Sequence, residues 1–509
     1  MLKNQLRNFK LLIKIIIHFF LRRGKMLVNN EEYKFDKNLL SHYAKSFKSI
    51  AGYDGENGVL KLKDGRNLKC KFVVGQLSNG DVILLCEFCK NSTPDFSTII
   101  QANIFEGTSS EGYEIRGEVN IEKYYLPEVQ KDRSGVWAAF ILDKLSVKIS
   151  NNKPYTVHFG ITNFKFCGTT PEKLSSQYSH LIIPLNLKYK EKENELIIRP
   201  ICNYKKKIEI LSTLKGIDVT CEAIIEITKE EDIHKLEEVV EDLCYLLSIA
   251  RGSKINWIYC DKYDNNGGYV ERTHHSRITK SFVPLHIIDS GINGREETKE
   301  FIEKSYPVYM EKRDSYKLKD RTIDAYLDAK SETDYLQMRG IKLAVTMEIL
   351  KYVFSELSNS PVEEYIINEE DFDEHIKNIK NSINSYLKEN KINSVYRNAI
   401  CSDGKIKGLN RRSFSYIIKR LCKEINLQVD SVDIKKFVVF RNKLIHTGDF
   451  YYNVANPSEK EKLKPLPSAS HEYSFIINFL DKIFLKLLGY SGMYIDWSIP
   501  GNRLPKKLG

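Results

Sequence analysis

The chain lacks any apolar run long enough to cross a membrane. Its nearest approach, Phe9 to Leu21, spans thirteen residues and is interrupted by Lys14 and His18, whereas a span needs about 20. Arg22-Arg23-Gly24-Lys25 follows where a secretory leader would carry a small-residue cleavage site. Residues 1–26 therefore read as an apolar, basic extension ahead of a folded start near Met26. A basic amphipathic helix lying on a membrane surface is the other reading of this stretch. Paired cysteine spacing is also missing. Of ten cysteines only Cys86 and Cys89 form a CxxC, and no second pair completes a zinc site. The cysteines read as reduced residues of a cytoplasmic protein. No motif for catalysis, phosphate binding or a metal stands out between Tyr53 and Ile227, and no cofactor is implied.

Acidic residues are scarce in one place. The whole chain of 509 residues carries a formal charge of +11, which suits a polyanionic partner. Between Cys401 and His446 eleven Lys or Arg face four acids. Arg411, Arg412, Lys435 and Lys436 in this stretch are the candidate contacts for such a partner. A run of charge is otherwise a solvated face, so its weight depends on what lies beside it.

The length exceeds one ordinary core, so two or three domains are expected. From Tyr53 to Ile227 the pattern is of short strands and turns. Val59 to Lys63 alternates, Asp64-Gly65 turns, and Leu68 to Val74 returns, which is a hairpin pattern. Asn79-Gly80 precedes Val82 to Phe88. Further strand-like runs include Val136–Ile149, Tyr155–Phe166, His180–Tyr189, Lys206–Leu211 and Val219–Ile227. This spacing predicts a sandwich or distorted barrel. Glu230 to Ala250 switches to helical period and ends at Gly252. Arg272 to Arg277 reads as a basic surface loop, with contact to RNA or another anion as the alternative. Residues 291–330 read as a connection. From 331 to 509 the pattern is helical: Tyr335–Leu357, Asp371–Leu387, Ser394–Ala399, Arg411–Ile425, the segment from Asp433 to Thr447, and Tyr473–Leu488, with a loop from Asn453 to Pro467. The fold class is α+β, a β-rich part (27–290) followed by a helical bundle.

The most informative segment is Asp433 to Gly448. Asp430 or Ser431 can cap it, Asp433 lies in its first turn, and Gly448 suits its C-terminus. At 100° per residue, Ile434, Phe437, Val438, Phe440, Leu444 and Ile445 share one broad face, with Arg441 near its middle. A guanidinium on an apolar face requires a carboxylate, a phosphate or a partner chain. Glu348, among the apolar residues of the 335–357 helix, is a candidate partner; a solvated position at the edge of that face is the other. Asn442 and His446 are spaced i, i+4 and lie side by side.

Arg441-Asn442-Lys443-Leu444-Ile445-His446 resembles the Arg-x4-His motif of HEPN ribonucleases, and the polar residue after the Arg is often found there. Its place at the end of a helix, in a helical region that follows a β-rich one, is similar to ApeA-type anti-phage HEPN proteins. Leu243 to Trp257 is also similar to their N-terminal domain. The resemblance implies metal-independent RNA cleavage, with tRNA among the candidate targets. The 2′-OH attacks the adjacent phosphate and leaves a 2′,3′-cyclic phosphate and a 5′-OH. It implies catalytic roles for Arg441, His446 and Asn442 and a site shared across a two-fold homodimer or within a higher homo-oligomer; in support stand Glu348, as the carboxylate for Arg441, and Lys443, as an RNA-backbone contact or a simply exposed side chain. It also implies abortive infection, with the β-rich part sensing an unidentified phage trigger. Three further readings stay open: a catalytically silent HEPN module that dimerises or binds RNA, a β-sandwich ligand-binding protein with a structural helical domain, and a membrane-associated effector that uses Phe9 to Leu21.

Overall fold

The computed structural model describes residues 40, 48–89, 94, 96–125, 135–173, 179–214, 216–227, 233–277, 285–291, 294–331, 334–357, 363–501 and 504–509. The apolar stretch Phe9 to Leu21 lies outside these. The chain divides into two compact units, one formed by 1–160 with 258–279 and the other by 161–257 with 280–509.

The first unit is an antiparallel barrel with added strands. Six strands close on themselves in the order β3-β2-β1-β4-β5-β6: β1 (Ser49–Leu62), β2 (Asn67–Leu77), β3 (Val82–Cys89), β4 (Ala102–Thr108), β5 (Glu114–Tyr125) and β6 (Gly135–Lys148). Closure is the β3–β6 ladder, running from Val82 opposite Leu142 to Cys89 opposite Gly135. The predicted turns are where the chain reverses, and Gly65 and Gly80 take the positive φ those turns require. Alternate residues fill the interior, including Leu60, Phe72, Val74, Leu84, Phe105, Phe140 and Leu142. The rings of Phe72 and Phe105 meet edge to face at 4.9 Å. They occupy space left by Gly58, where a Cβ would stand 2.9 Å from each ring.

Beyond Asp143, β6 leaves β3 and pairs with β13 (Tyr269–His275), which pairs with β12 (Trp257–Tyr263). This corrects the expectation of a basic surface loop from Arg272 to Arg277. Arg272 makes two hydrogen bonds to the Asp261 carboxylate and lies over the Tyr259 ring at 4.7 Å. His274 is fully buried, and its Nδ1 lies 2.8 Å from Gln76 Oε1. Burial holds its imidazole well below the ordinary pKa. The Gln76 amide also donates to the carbonyls of Ile258 (2.7 Å) and His275 (3.0 Å). These polar residues are interior fasteners between strands. Cys86 of the CxxC points into the barrel core. Among the described residues no group of His, Cys, Asp or Glu is placed to hold a metal ion.

The second unit begins with strands in the order β11-β10-β9-β8: β8 (Thr170–Lys173), β9 (Ser179–Tyr189), β10 (Lys192–Pro200) and β11 (Val219–Glu226). The strand expected at Lys206–Leu211 is a helix, α1 (Tyr204–Leu214), which buries Ile208 and Leu211 on one side. Ile208 and Ile210 alternate as in a strand, whereas Ile208 and Leu211, at i, i+3, are the pair that the helix buries. α2 (Ile233–Arg251) is the expected helix, with Gly252 at positive φ after it. Residues 291–330, read as a connection, contain α3 (Arg295–Lys312) and α4 (Ile323–Ala329), joined by a tight turn. In α3, Phe301, Ile302 and Tyr309 are fully buried, and Glu303 accepts a hydrogen bond from the Asn186 backbone of β9 at 2.9 Å.

The helical region follows as α5 (Leu336–Ser355), α6 (Glu369–Glu389), α7 (Ser394–Ile400), α8 (Asp403–Gly408), α9 (Phe414–Glu424), α10 (Ser431–Thr447), α11 (Tyr451–Val454), α12 (Pro457–Lys462) and α13 (Ala469–Leu487). The stretch expected to be a loop, Asn453 to Pro467, thus holds α12, started by an Asn456–Glu459 capping box with Pro457 at its first position. Leu343, Met347, Leu350, Phe437, Phe440, Leu444, Phe479 and Leu480 are its buried centre. Phe437 stacks on Phe479 at 4.2 Å. Among the described residues no helix is long and apolar enough to cross a membrane.

Candidate active site

α10 starts and stops as its residues require. The Asp430 carboxylate accepts from Val432 N at 2.8 Å, and Gly448 adopts φ 74° at the C-terminus. Its buried face comprises Ile434, Phe437, Phe440 and Leu444. The expectation that Arg441 lies near the middle of that face is corrected. Ile445 is 39% exposed and Val438 is half-buried. The aromatic contacts of Phe437 and Phe440 with Phe479 and Phe475 rotate the helix, so that Val438, Arg441 and Ile445 form the rim of its core face.

At that rim the Arg441 side chain is only 14% exposed. Its Nη2 donates to Glu348 Oε1 on α5, and its Nη1 donates to Asn442 Oδ1 at 2.7 Å. The guanidinium carbon lies 4.7 Å from the centre of the Phe414 ring at the start of α9. Its Nε is buried without a hydrogen-bond partner. The cation is thus held by a carboxylate, an amide oxygen and an aromatic face, with its buried Nε–H unused. This arrangement can bind one oxyanion, and Glu348 occupies that role here.

His446 is exposed and makes no hydrogen bond or ion pair among the described residues. Five residues along a helix is about 140° around its axis, so Arg441 and His446 project to different sides. The structure brings Arg441, Asn442 and Glu348 together, and His446 stands one turn beyond Asn442 on a different side of the helix from Arg441. Lys443 pairs with Glu459 of α12 at 2.7 Å, and that hydrogen bond holds the Glu459 carboxyl below its ordinary pKa. Of the candidate RNA contacts, Lys435 is exposed, and half-buried Lys436 lies 3.5 Å from Asp433. Arg411 lies over the Tyr365 ring at 5.8 Å and Arg412 over the Tyr416 ring at 5.2 Å. A hydrogen bond to Tyr365 raises the Arg411 pKa.

The sequence reading missed two kinds of residue here. Phe414, at the start of α9, forms the floor beneath Arg441 and was not among the candidate site residues. Glu472, in the first turn of α13, is fully buried, and neither carboxylate oxygen makes a hydrogen bond of ordinary geometry. Burial pushes its pKa up to about 7; the backbone amides of Tyr452 and Tyr451, just beyond the motif helix, oppose this only in part. Compared with known protein families, curated proteins and solved structures, the chain matches none.

Proposed function

We propose that this chain is a HEPN-type endoribonuclease of anti-phage defence, acting as a dimer and cutting RNA without a metal. The observation that carries the reading is the state of Arg441: a half-buried guanidinium at the rim of a helical core, engaged by one carboxylate, with its Nε unused. A phosphate is the other ligand for which such a fork is shaped. In the reaction Arg441 stabilises the charge that builds on the phosphorane oxygens. One base removes the 2′-OH proton, the 2′-oxygen bonds to phosphorus, and the 5′-oxygen leaves with a proton from an acid. Imidazole suits both steps. Because one chain turns His446 away from Arg441, a two-fold dimer that supplies two copies of each residue is part of the proposal. Val345 and Ile445, exposed at 45% and 39%, belong to its contact. In this reading the β-rich part restrains the nuclease until a phage component appears, and RNA cleavage then stops growth.

A second reading is favoured by the Glu348–Arg441 pair itself: a silent module in which the pair is structural. The deciding experiment is RNA cleavage by the purified full chain with EDTA present, beside Arg441→Ala and His446→Ala. Nuclease action requires cyclic phosphate ends with wild type and loss of at least about 100-fold in each variant, with all three folded. In phage-infected cells, protection that survives both substitutions would identify the silent module.

A further inference from the structure

The turn from Tyr316 to Thr322, between α3 and α4, holds two non-glycine residues in the left-handed region: Lys317 at φ 45° and Asp320 at φ 60°. Such residues persist only where their surroundings hold them. Here Leu318 is fully buried. The Tyr245 hydroxyl donates to the Asp320 carboxylate at 2.7 Å and accepts from its backbone N–H at 3.1 Å. The turn is built to a fixed shape, and that shape sets the direction of its cations.

The inward-facing cations have acids. Lys319 pairs with Glu241 at 3.1 Å and Arg313 with Asp242 at 3.0 Å. The outward-facing ones do not. Lys317 and Arg321 are exposed, and neither makes an ion pair among the described residues. Both converge on a single ring, that of Tyr352 on α5, at 5.4 and 5.5 Å from its centre. Tyr352 is 40% exposed. Two like charges sharing one ring repel each other, and a bound polyanion removes that cost. Tyr352 also stands one turn along α5 from Glu348, about 6 Å along the axis, a step on the scale of one nucleotide from the group that engages Arg441.

We infer that Lys317, Arg321 and Tyr352 form a subsite for an unpaired nucleic-acid strand, with phosphates on the two cations and a base stacked at the Tyr352–Arg321 layer. A single strand has a free base face to offer, whereas a duplex keeps its bases stacked within itself. The subsite extends the proposed centre: it places the nucleotide beside the one whose phosphate Arg441 would hold. That placement rests on the nuclease reading, while the existence of the subsite does not.

The test is binding of the full-length protein to a fluorescent 2′-O-methyl oligouridylate, which lacks the attacking hydroxyl, and to a blunt 2′-O-methyl duplex of the same length. Wild type is expected to prefer the strand. Lys317→Ala combined with Arg321→Ala should weaken strand binding about tenfold or more and reduce the slope of log affinity against log salt by about 1.4, two contacts at about 0.7 each. Tyr352→Leu should weaken it about tenfold, and Tyr352→Phe should restore it. Unchanged affinity and salt slope in the double variant would overturn the inference. So would equal binding of strand and duplex with no effect of Tyr352→Leu, which describes a mere electrostatic patch. If strand binding depends on these residues while no protein cleaves RNA, the nuclease reading fails and the subsite stands. If Arg441 and His446 support cleavage but the double variant binds normally, the subsite alone fails.

Discussion

Charged side chains at the edge of a core settle only where something answers their charge, and Arg441 and Glu472 show two outcomes. Arg441 finds Glu348, Asn442 and the Phe414 ring. Glu472 finds no such partner, and its carboxyl is driven up to about 7 by burial. The sign of the consequence follows from linkage. A carboxyl whose folded pKa is raised favours the native state while protonated and penalises it as pH rises from the unfolded pKa through the folded one. Stability should therefore fall between about pH 5 and pH 8 by roughly 2 kcal/mol through this group. Glu472→Gln is expected to remove that dependence, so that its advantage over wild type in urea unfolding widens across the same window. Parallel curves for the two proteins would show that Glu472 titrates elsewhere. Arg441 was conspicuous in the sequence because it breaks an apolar stripe. Glu472 was not, since a Glu in the first turn of a helix is ordinary, and its burial comes from the α10–α11 segment folding over it.

In the four long helices around Arg441 the period of apolar residues marks where each helix lies, and it does not fix their rotation. α5, α9, α10 and α13 lie where the 3.6-residue pattern placed them. The face that α10 buries is turned away from Val438 and Ile445 by its aromatic partners on α13. The same helix α13 also carries a feature that periodicity hides. Asp481 on its inner side is fully buried with Lys330, whose Nζ lies 2.9 Å from Oδ1, and Tyr326 donates to the same carboxylate. Burial raises the Asp481 pKa and lowers that of Lys330, and each opposes the shift in the other. Removing one member leaves an uncompensated group in the core. Lys330→Met should destabilise the protein by about 3–5 kcal/mol, and adding Asp481→Leu should recover much of that. Urea midpoints of the single and double variants measure it; equal losses in both would mean the pair is not coupled.

For the whole molecule, two exposed apolar residues bear on assembly: Val345, three positions before Glu348 on α5, and Ile445, four positions after Arg441 on α10. The proposed dimer predicts that light scattering on the purified chain gives twice the monomer mass. Ile445→Asp should give the monomer and abolish RNA cleavage while the chain stays folded by circular dichroism, since loss of the dimer itself lowers the apparent unfolding free energy. A monomeric wild type that still cleaves would end the shared-site proposal. In the first unit the expectation of a sandwich or barrel resolves to a six-stranded closed barrel. What selects closure is the β3–β6 ladder together with glycines such as Gly58, which admit the Phe72 and Phe105 rings to the interior. Neither is visible as a local pattern, because strand pairing joins residues far apart in the chain.

Local residue patterns determined the order of a strand-rich part and a helical part, the turns at Gly65 and Gly80, the caps of α10, and the singularity of Arg441. These depend on neighbours within a few positions, where backbone preference and amphipathic period act directly. Tertiary structure alone decided which carboxylate meets Arg441, that His274 is an interior fastener, and that Lys317 and Arg321 meet over Tyr352. Each of these depends on how elements rotate and pack against one another. That outcome is set by the summed fit of many side chains, which no single stretch of sequence contains.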